Sequence, residues 1–168
     1  MSAIDDMLHF NKGVVRLYPG IESKAPPRKR LAIVACMDAR IVPATHLGIQ
    51  VGDAHIIRNA GGRVAEAIRS LALSQVLLGT EEVAVIHHTD CGLMAPSDDA
   101  VRAAFLARGI DPGGLDLLTF SDLDRSLLDD IALYRSSPLL RQDIPVRGLI
   151  FDVATSRLSE VDAGALGR

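Results

Sequence analysis

The sequence predicts an α/β domain with a mainly parallel central sheet of about four strands, an antiparallel edge strand, and helices on both faces. Three observations lead there. Short apolar runs such as Leu31-Ala32-Ile33-Val34-Ala35 and Val83-Ala84-Val85-Ile86 show no polar alternation, as strands buried on both faces require. These runs alternate with stretches of helical periodicity, the order expected of parallel strands joined by helices. Near the end, only Ala154-Thr155-Ser156 separates the run Leu149 to Val153 from the alternating Arg157-Leu158-Ser159-Glu160-Val161. So short a connection permits only an antiparallel return.

Taken in order, residues 3 to 18 suit an amphipathic helix. Ile4, Met7, Leu8, Val14, Val15 and Tyr18 fall near one face, Gly13 weakens it, and Pro19-Gly20 ends it. The loop Pro19 to Pro27 makes residues 1-27 an N-terminal helical arm on a single domain spanning 1-168. Such an arm lies on its own sheet or reaches across to a neighbour. After the strand Leu31 to Ala35, Pro43 suits the first turn of a short helix through Leu47. Gly48 and Gly52 bracket a turn, and Ala54 to Arg58 is a second strand. Asn59-Ala60-Gly61-Gly62 is a loop.

Val64 to Leu78 is the clearest helix, with Val64, Ile68, Leu71, Ala72 and Gln75 at helical spacing and Gly79 as its stop. Val83 to His88 is the third strand. Ser97, Asp98 and Asp99 start a helix with Ala100, Val101, Ala104 and Phe105 on one face, closed by Arg108-Gly109. Residues 109 to 119 are loop, with a turn at Asp111-Pro112-Gly113-Gly114. Ser121 caps a further helix whose buried stripe is Leu123, Leu127, Leu128, Ile131 and Tyr134, ended by Ser136-Ser137-Pro138. Leu149 to Val153 is the fourth strand.

Composition narrows the function. Aromatics make up 4% of the chain and Trp is absent, so the core is built from Leu, Ile, Val and Ala. A formal charge of -3 gives no reason to expect nucleic-acid binding. Arg28-Lys29-Arg30 reads as a solvated approach to a strand. No run reaches the roughly 18 apolar residues of a membrane helix, and Met1 to Leu8, with Asp5 and Asp6, lacks the positive region of a secretory signal. The expected location is cytoplasmic. There, two cysteines argue for metal binding or catalysis over a disulfide.

Both cysteines lie in short motifs at the ends of apolar runs: Cys36-Met37-Asp38-Ala39-Arg40, and His88-Thr89-Asp90-Cys91 followed by Gly92. If the runs are parallel strands, both motifs emerge at the carboxyl edge of the sheet, where open α/β sheets place their sites. Two thiolates and an imidazole suit zinc, and three protein ligands leave a fourth position for water or substrate. Asp38 either fills that position or accepts a hydrogen bond from a water there. Arg40 holds Asp38 in a bidentate pair and keeps it ionised.

The paired motifs, with Arg58-Asn59-Ala60-Gly61-Gly62 between them and Arg147-Gly148-Leu149-Ile150-Phe151-Asp152 later, resemble the β-class carbonic anhydrases over roughly residues 30 to 160. The shortness of the chain resembles the compact branch of that family, which also contains carbonyl sulfide and carbon disulfide hydrolases. The resemblance implies one Zn2+ per chain on Cys36, His88 and Cys91, with Asp38 and Arg40 catalytic. It implies carbon dioxide and bicarbonate as substrates, carbonyl sulfide or carbon disulfide as alternatives, and a homodimer or homotetramer. Gln50 falls where plant-type members have a substrate-contacting glutamine; with Gly92 it is assigned to substrate binding. As a polar donor Gln50 suits an oxygen better than a sulfur, which ranks carbon dioxide first. The remaining alternative is a non-enzymatic, zinc-stabilised module. A closed structural site usually has four Cys or His ligands, and a third cysteine is missing.

The other polar residues have plainer expectations. His87 and His88 point to opposite faces of a strand, so only one binds metal easily, and the family spacing selects His88. His87 packs or supports from behind, and His55 is structural. His9 and His46 belong to the surface or an interface. Asp90 is a turn residue and Arg58 a tie at a strand end.

Overall fold

Each apolar run became a strand of one sheet. In this computed structural model, which describes residues 2–17, 25–94 and 97–161, the strands are β1 (Leu31–Cys36), β2 (Ala54–Asn59), β3 (Glu82–His88), β4 (Val146–Asp152) and β5 (Arg157–Val161). Their order is β2-β1-β3-β4-β5. The first four are parallel and β5 returns antiparallel on β4. The helices are α1 (Ala3–Leu17), α2 (Pro43–His46), α3 (Val64–Leu78), α4 (Asp98–Leu106) and α5 (Leu123–Ser136). Tyr18 and the Pro19-Gly20 stop lie outside the described residues. Among the described residues no helix is long and apolar enough to cross a membrane.

The period of two along β1 and β3 splits the core. On one face, Ala32, Val34, Val83 and Val85 pack against Val64, Ala67 and Leu71 of α3 and Leu127, Ile131 and Tyr134 of α5. On the other, Ile33, Ala35, Ile86 and Phe151 pack against Ile41, with Leu47, Ile49 and Leu93 around them. Among the described residues, α3 and α5 cover the first face, and the single turn of α2 lies against the second. Gly48, at φ 63°, follows that turn closely.

Two local expectations need correction. β4 begins at Val146, three residues ahead of Leu149, because Gly148 belongs to the strand. A Cβ there would stand 3.1 Å from Leu127 Cγ, so the glycine is what lets α5 press onto β4. The α5 cap is Asp122, whose carboxylate accepts from Arg125 N at 2.9 Å, and Ser121 is not used. α4 has its expected Ser97 cap and no fully buried residue.

The chain runs from β1 outward to β2, then back past β1 to β3. β1 and β3 are thus the neighbours at which strand order reverses, the place where open α/β sheets form a crevice.

Candidate metal centre

Cys36 is the last residue of β1, and His88 the last of β3. Cys91 follows in the turn after β3. The three side chains meet at the carboxyl edge, all are buried, and their ligand atoms lie within 4.8 Å of one another. β1 and β3 are paired neighbours, and the turn Ala60–Gly62 packs directly against their carboxyl ends. Gly62, at φ +72°, sits against both strand ends: a Cβ there would be 2.9 Å from Cys36 N and 2.9 Å from Ile86 O. No other residue fits.

The His88 ring is oriented for a ligand. Its Nδ1 lies 2.9 Å from the carbonyl of Thr89, which can only accept, so Nδ1 carries the proton. Nε2 keeps its lone pair. Among the described residues it is the buried side-chain nitrogen or oxygen left without a hydrogen-bond partner. Such an orphan costs about 1–3 kcal/mol unless something binds it. The two cysteines are free thiols. The hydrogen bond from Cys91 pulls the Cys36 thiol down and pushes the Cys91 thiol up, so together they hold one proton that a cation would displace. Burial pulls His88 down, but the negative charge of the neighbouring Cys36 sulfur and of Asp38 outweighs it and raises it overall. Two sulfurs and a fixed imidazole lone pair fit a zinc ion.

Asp38 and Arg40 adjoin the cluster. Arg40 Nε donates to Asp38 Oδ1 at 3.0 Å and Nη2 to Oδ2 at 2.7 Å, a bidentate pair reinforced by Arg40 N to Oδ1 at 2.9 Å. These bonds hold the Asp38 carboxyl well below the usual carboxylate range. Asp38 Oδ2 is 4.0 Å from His88 Nε2. Arg40 also donates to the second motif, through Nη1 to Asp90 Oδ2 at 2.6 Å and Nη2 to the Asp90 carbonyl at 2.8 Å. Asp90 is therefore more than a turn residue. The signal was an aspartate in each motif loop with one arginine to share. Asp90 has φ 54°, which aims its carbonyl and carboxylate at the same guanidinium.

The chain is 40% identical over 163 residues to beta-carbonic anhydrase 1 of Mycobacterium tuberculosis, covering 96% of this chain and 99% of the relative. The chain belongs to the β-carbonic anhydrase family. A family model described as carbonic anhydrase matches residues 31–111, which carry both motifs. The crystal structure of carbonic anhydrase from Streptococcus mutans superposes with a TM-score of 0.91 at 43% identity, over 96% of this chain and 99% of that one. Carbon disulfide hydrolase of Acidianus sp. is 34% identical over 158 residues, covering 79% of this chain and 78% of the relative.

In this member of the family, the structure removes Gln50 from the vicinity of the cluster. Gln50 lies in the turn before β2, where its O accepts from Asp53 N and its N donates to Asp53 Oδ2. That turn is tied to Arg28 and Lys29, at the amino edge of the sheet. The cluster is at the carboxyl edge, roughly five residues or about 17 Å along β1. Gly92 is exposed beside Cys91, with no atom within 4 Å of where its Cβ would be. Arg58 is a tie: it donates to the carbonyls of Cys36 at 3.0 Å and Asp38 at 2.6 Å, shaping the first motif loop from behind. His55 is structural, bonded to Ser74 Oγ at 2.7 Å. His46, expected at the surface or an interface, is half-buried; it stacks on Phe151 at 5.1 Å and accepts from Val42 N.

Proposed function

We propose that this protein is a zinc enzyme that interconverts carbon dioxide and bicarbonate, with one zinc per chain on Cys36, His88 and Cys91. The observation that carries this is the buried, unpartnered Nε2 of His88 facing two cysteine sulfurs. When bound, zinc acidifies water and so supplies a nucleophile at neutral pH. The protein's own groups supply position. Asp38 stays ionised beside Arg40, and its Oδ2 borders the space that the ligand atoms face. From there it accepts the hydrogen bond of the reacting water and turns a lone pair toward the carbon. Arg40 keeps Asp38 charged and, by gripping Asp90, fastens the first motif to the second. Ile41 and Leu93 give an apolar surround to a small, apolar gas. Gly92 leaves space on the substrate side.

The second reading is hydrolysis of carbon disulfide or carbonyl sulfide to hydrogen sulfide and carbon dioxide, favoured by the similarity to a carbon disulfide hydrolase. Both gases offer an electrophilic carbon to the same nucleophile. With Gln50 at the other edge of the sheet, no polar donor argument ranks them. Carbon dioxide stands first because the mycobacterial relative matches the whole chain, at higher identity. The test is zinc content with kcat/KM for carbon dioxide, carbonyl sulfide and carbon disulfide on one preparation. Efficient sulfide release with sluggish hydration reverses the order, and a metal-free, inactive protein refutes both.

The same reading includes a homodimer or homotetramer in the cytoplasm, with residues 1-27 as a helical arm. Its support is α1, where Ile4, Met7, Leu8 and Phe10 are 68%, 69%, 61% and 74% exposed. Light scattering that reports a fully active monomer at micromolar concentration contradicts it.

A further inference from the structure

Behind the metal centre, on the α3 and α5 side of the sheet, lies a buried charge that the proposed chemistry does not use. Asp130 is 1% exposed and His87 is wholly buried. Asp130 Oδ2 accepts from Arg63 Nε at 2.9 Å and His87 Nε2 at 3.0 Å. Ser126 Oγ lies 3.4 Å from the remaining ring nitrogen of His87. Burying such groups is costly, and replacing a buried ion pair by apolar residues of similar volume is often neutral or stabilising. Stability alone therefore does not account for the cluster.

Its connections do. From Asp130 three routes run to the sheet edge, and each ends within two residues of one ligand. The Arg63 backbone exchanges hydrogen bonds with the Asn59 side chain at 2.7 and 2.8 Å, and the Asn59 carbonyl takes Met37 N at 2.8 Å, next to Cys36. Arg63 Nη1 donates to the Leu118 carbonyl at 2.9 Å, and its guanidinium lies 5.6 Å over the Phe120 ring. Phe120 N in turn donates to the Leu93 carbonyl at 3.3 Å, two residues past Cys91. His87 stacks on the same Phe120 ring at 5.7 Å and is the chain neighbour of His88.

We propose that Asp130 is a positioning residue for the metal centre: through Arg63 and His87 it holds Cys36, His88 and Cys91 in register from the far side of the sheet. This rests on the reading that those three residues bind zinc. The groups that support metal ligands from behind typically change metal affinity 10–100-fold when altered. Asp130 acts at one further remove, so the lower end applies.

The test compares zinc-loaded wild type with Asp130→Asn, His87→Leu and His87→Gln. It reads the rate of zinc transfer to a chelator and the visible spectrum of the cobalt(II)-substituted protein. Asp130→Asn and His87→Leu should release zinc about 10-fold faster and shift the cobalt bands. His87→Gln keeps an N–H for Asp130 and should recover most of the slow release. Leu71→Ala, in the same core but outside the cluster, should lower Tm while leaving zinc release and the cobalt spectrum unchanged. The proposal is overturned if Asp130→Asn and His87→Leu match wild type in both readouts, or if Leu71→Ala speeds release equally. Should Asp130→Asn not fold, the His87→Leu and His87→Gln pair decides by the same criteria. A wild type that takes up no zinc refutes the metal reading and the proposal with it, whereas unaffected variants of a zinc-binding wild type refute the proposal alone.

Discussion

Gly62→Ala attacks the metal centre without touching a ligand. The new Cβ would lie 2.9 Å from Cys36 N on β1 and 2.9 Å from Ile86 O on β3. An ordinary contact needs roughly 0.5 Å more on each side. Both obstacles are backbone, so relief means backing the Ala60–Gly62 turn off the sheet or displacing the carboxyl ends of β1 and β3, where Cys36 and His88 are held. Overpacking of this kind costs about 1–3 kcal/mol, and the left-handed φ of +72° adds about 1–2 kcal/mol for a residue with a Cβ. The sum, about 2–5 kcal/mol, corresponds in a chain of this size to a Tm lower by roughly 5–15 °C. Gly79→Ala separates the two contributions. Gly79 has φ +71° but no atom within 4 Å of a Cβ, so it bears only the dihedral cost. The assay is scanning calorimetry of both variants with zinc analysis of each. If Gly62→Ala loses no more stability than Gly79→Ala and keeps a full equivalent of zinc, close packing at Gly62 does not support the geometry of the centre.

Four further outcomes are expected. Cys36→Ser and Cys91→Ser should each lose most of their zinc; full occupancy in both would discard the ligand assignment. Asp38→Asn and Arg40→Ala should each lower kcat/KM by roughly 100-fold or more, and the double variant should be no worse than either, since the pair acts as a unit; additive losses would contradict the pairing. Arg40 holds the Asp38 carboxyl below its ordinary value of 3.8, so the stabilisation is complete above that pH and is lost as pH falls through the lowered folded value; the Tm gap between wild type and Arg40→Ala should be steady from about pH 5 to 7 and shrink below about pH 4, and a gap that persists undiminished at lower pH rules out an electrostatic origin. Asp90→Ala should change stability by less than about 1 kcal/mol, because the Arg40 and Asp90 side chains are 48% and 79% exposed; a larger loss in thermal unfolding would mean the clasp between the motifs is structural.

The cluster of Cys36, His88 and Cys91 was legible because metal binding needs particular residue types at particular spacings, and these three are chemically unlike their surroundings. The strands were legible as unalternating apolar runs. Gln50 was misplaced although the parallel assignment of β2 already excluded its site: a strand parallel to β1 must start at the amino edge, so the residues just before it lie far from Cys36. The start of β4 was hidden because Gly148 reads as a breaker until the α5 side chains that need its space are seen. Asp130 was hidden for a related reason. A charged residue on an amphipathic helix normally marks the solvent face, and its partners Arg63 and His87 come from remote segments. Asp90 was hidden because its partner lies in the other motif loop.

The two adjacent histidines of β3 also carry a hazard for assembly. β3 is apolar on both faces, so no polar-out pattern rejects a slip of one residue against β1, which would turn every side chain to the opposite face. In such a misaligned sheet His87 would stand where His88 belongs and still offer an imidazole to the cysteines. A chain folding around metal could then be captured in the wrong alignment. Asp130 discriminates between the two. In the native alignment the ring of His87 reaches its carboxylate at 3.0 Å while His88 faces the cysteines. The buried carboxylate thus weights the native alignment over the slipped one by the hydrogen bond that it accepts from His87.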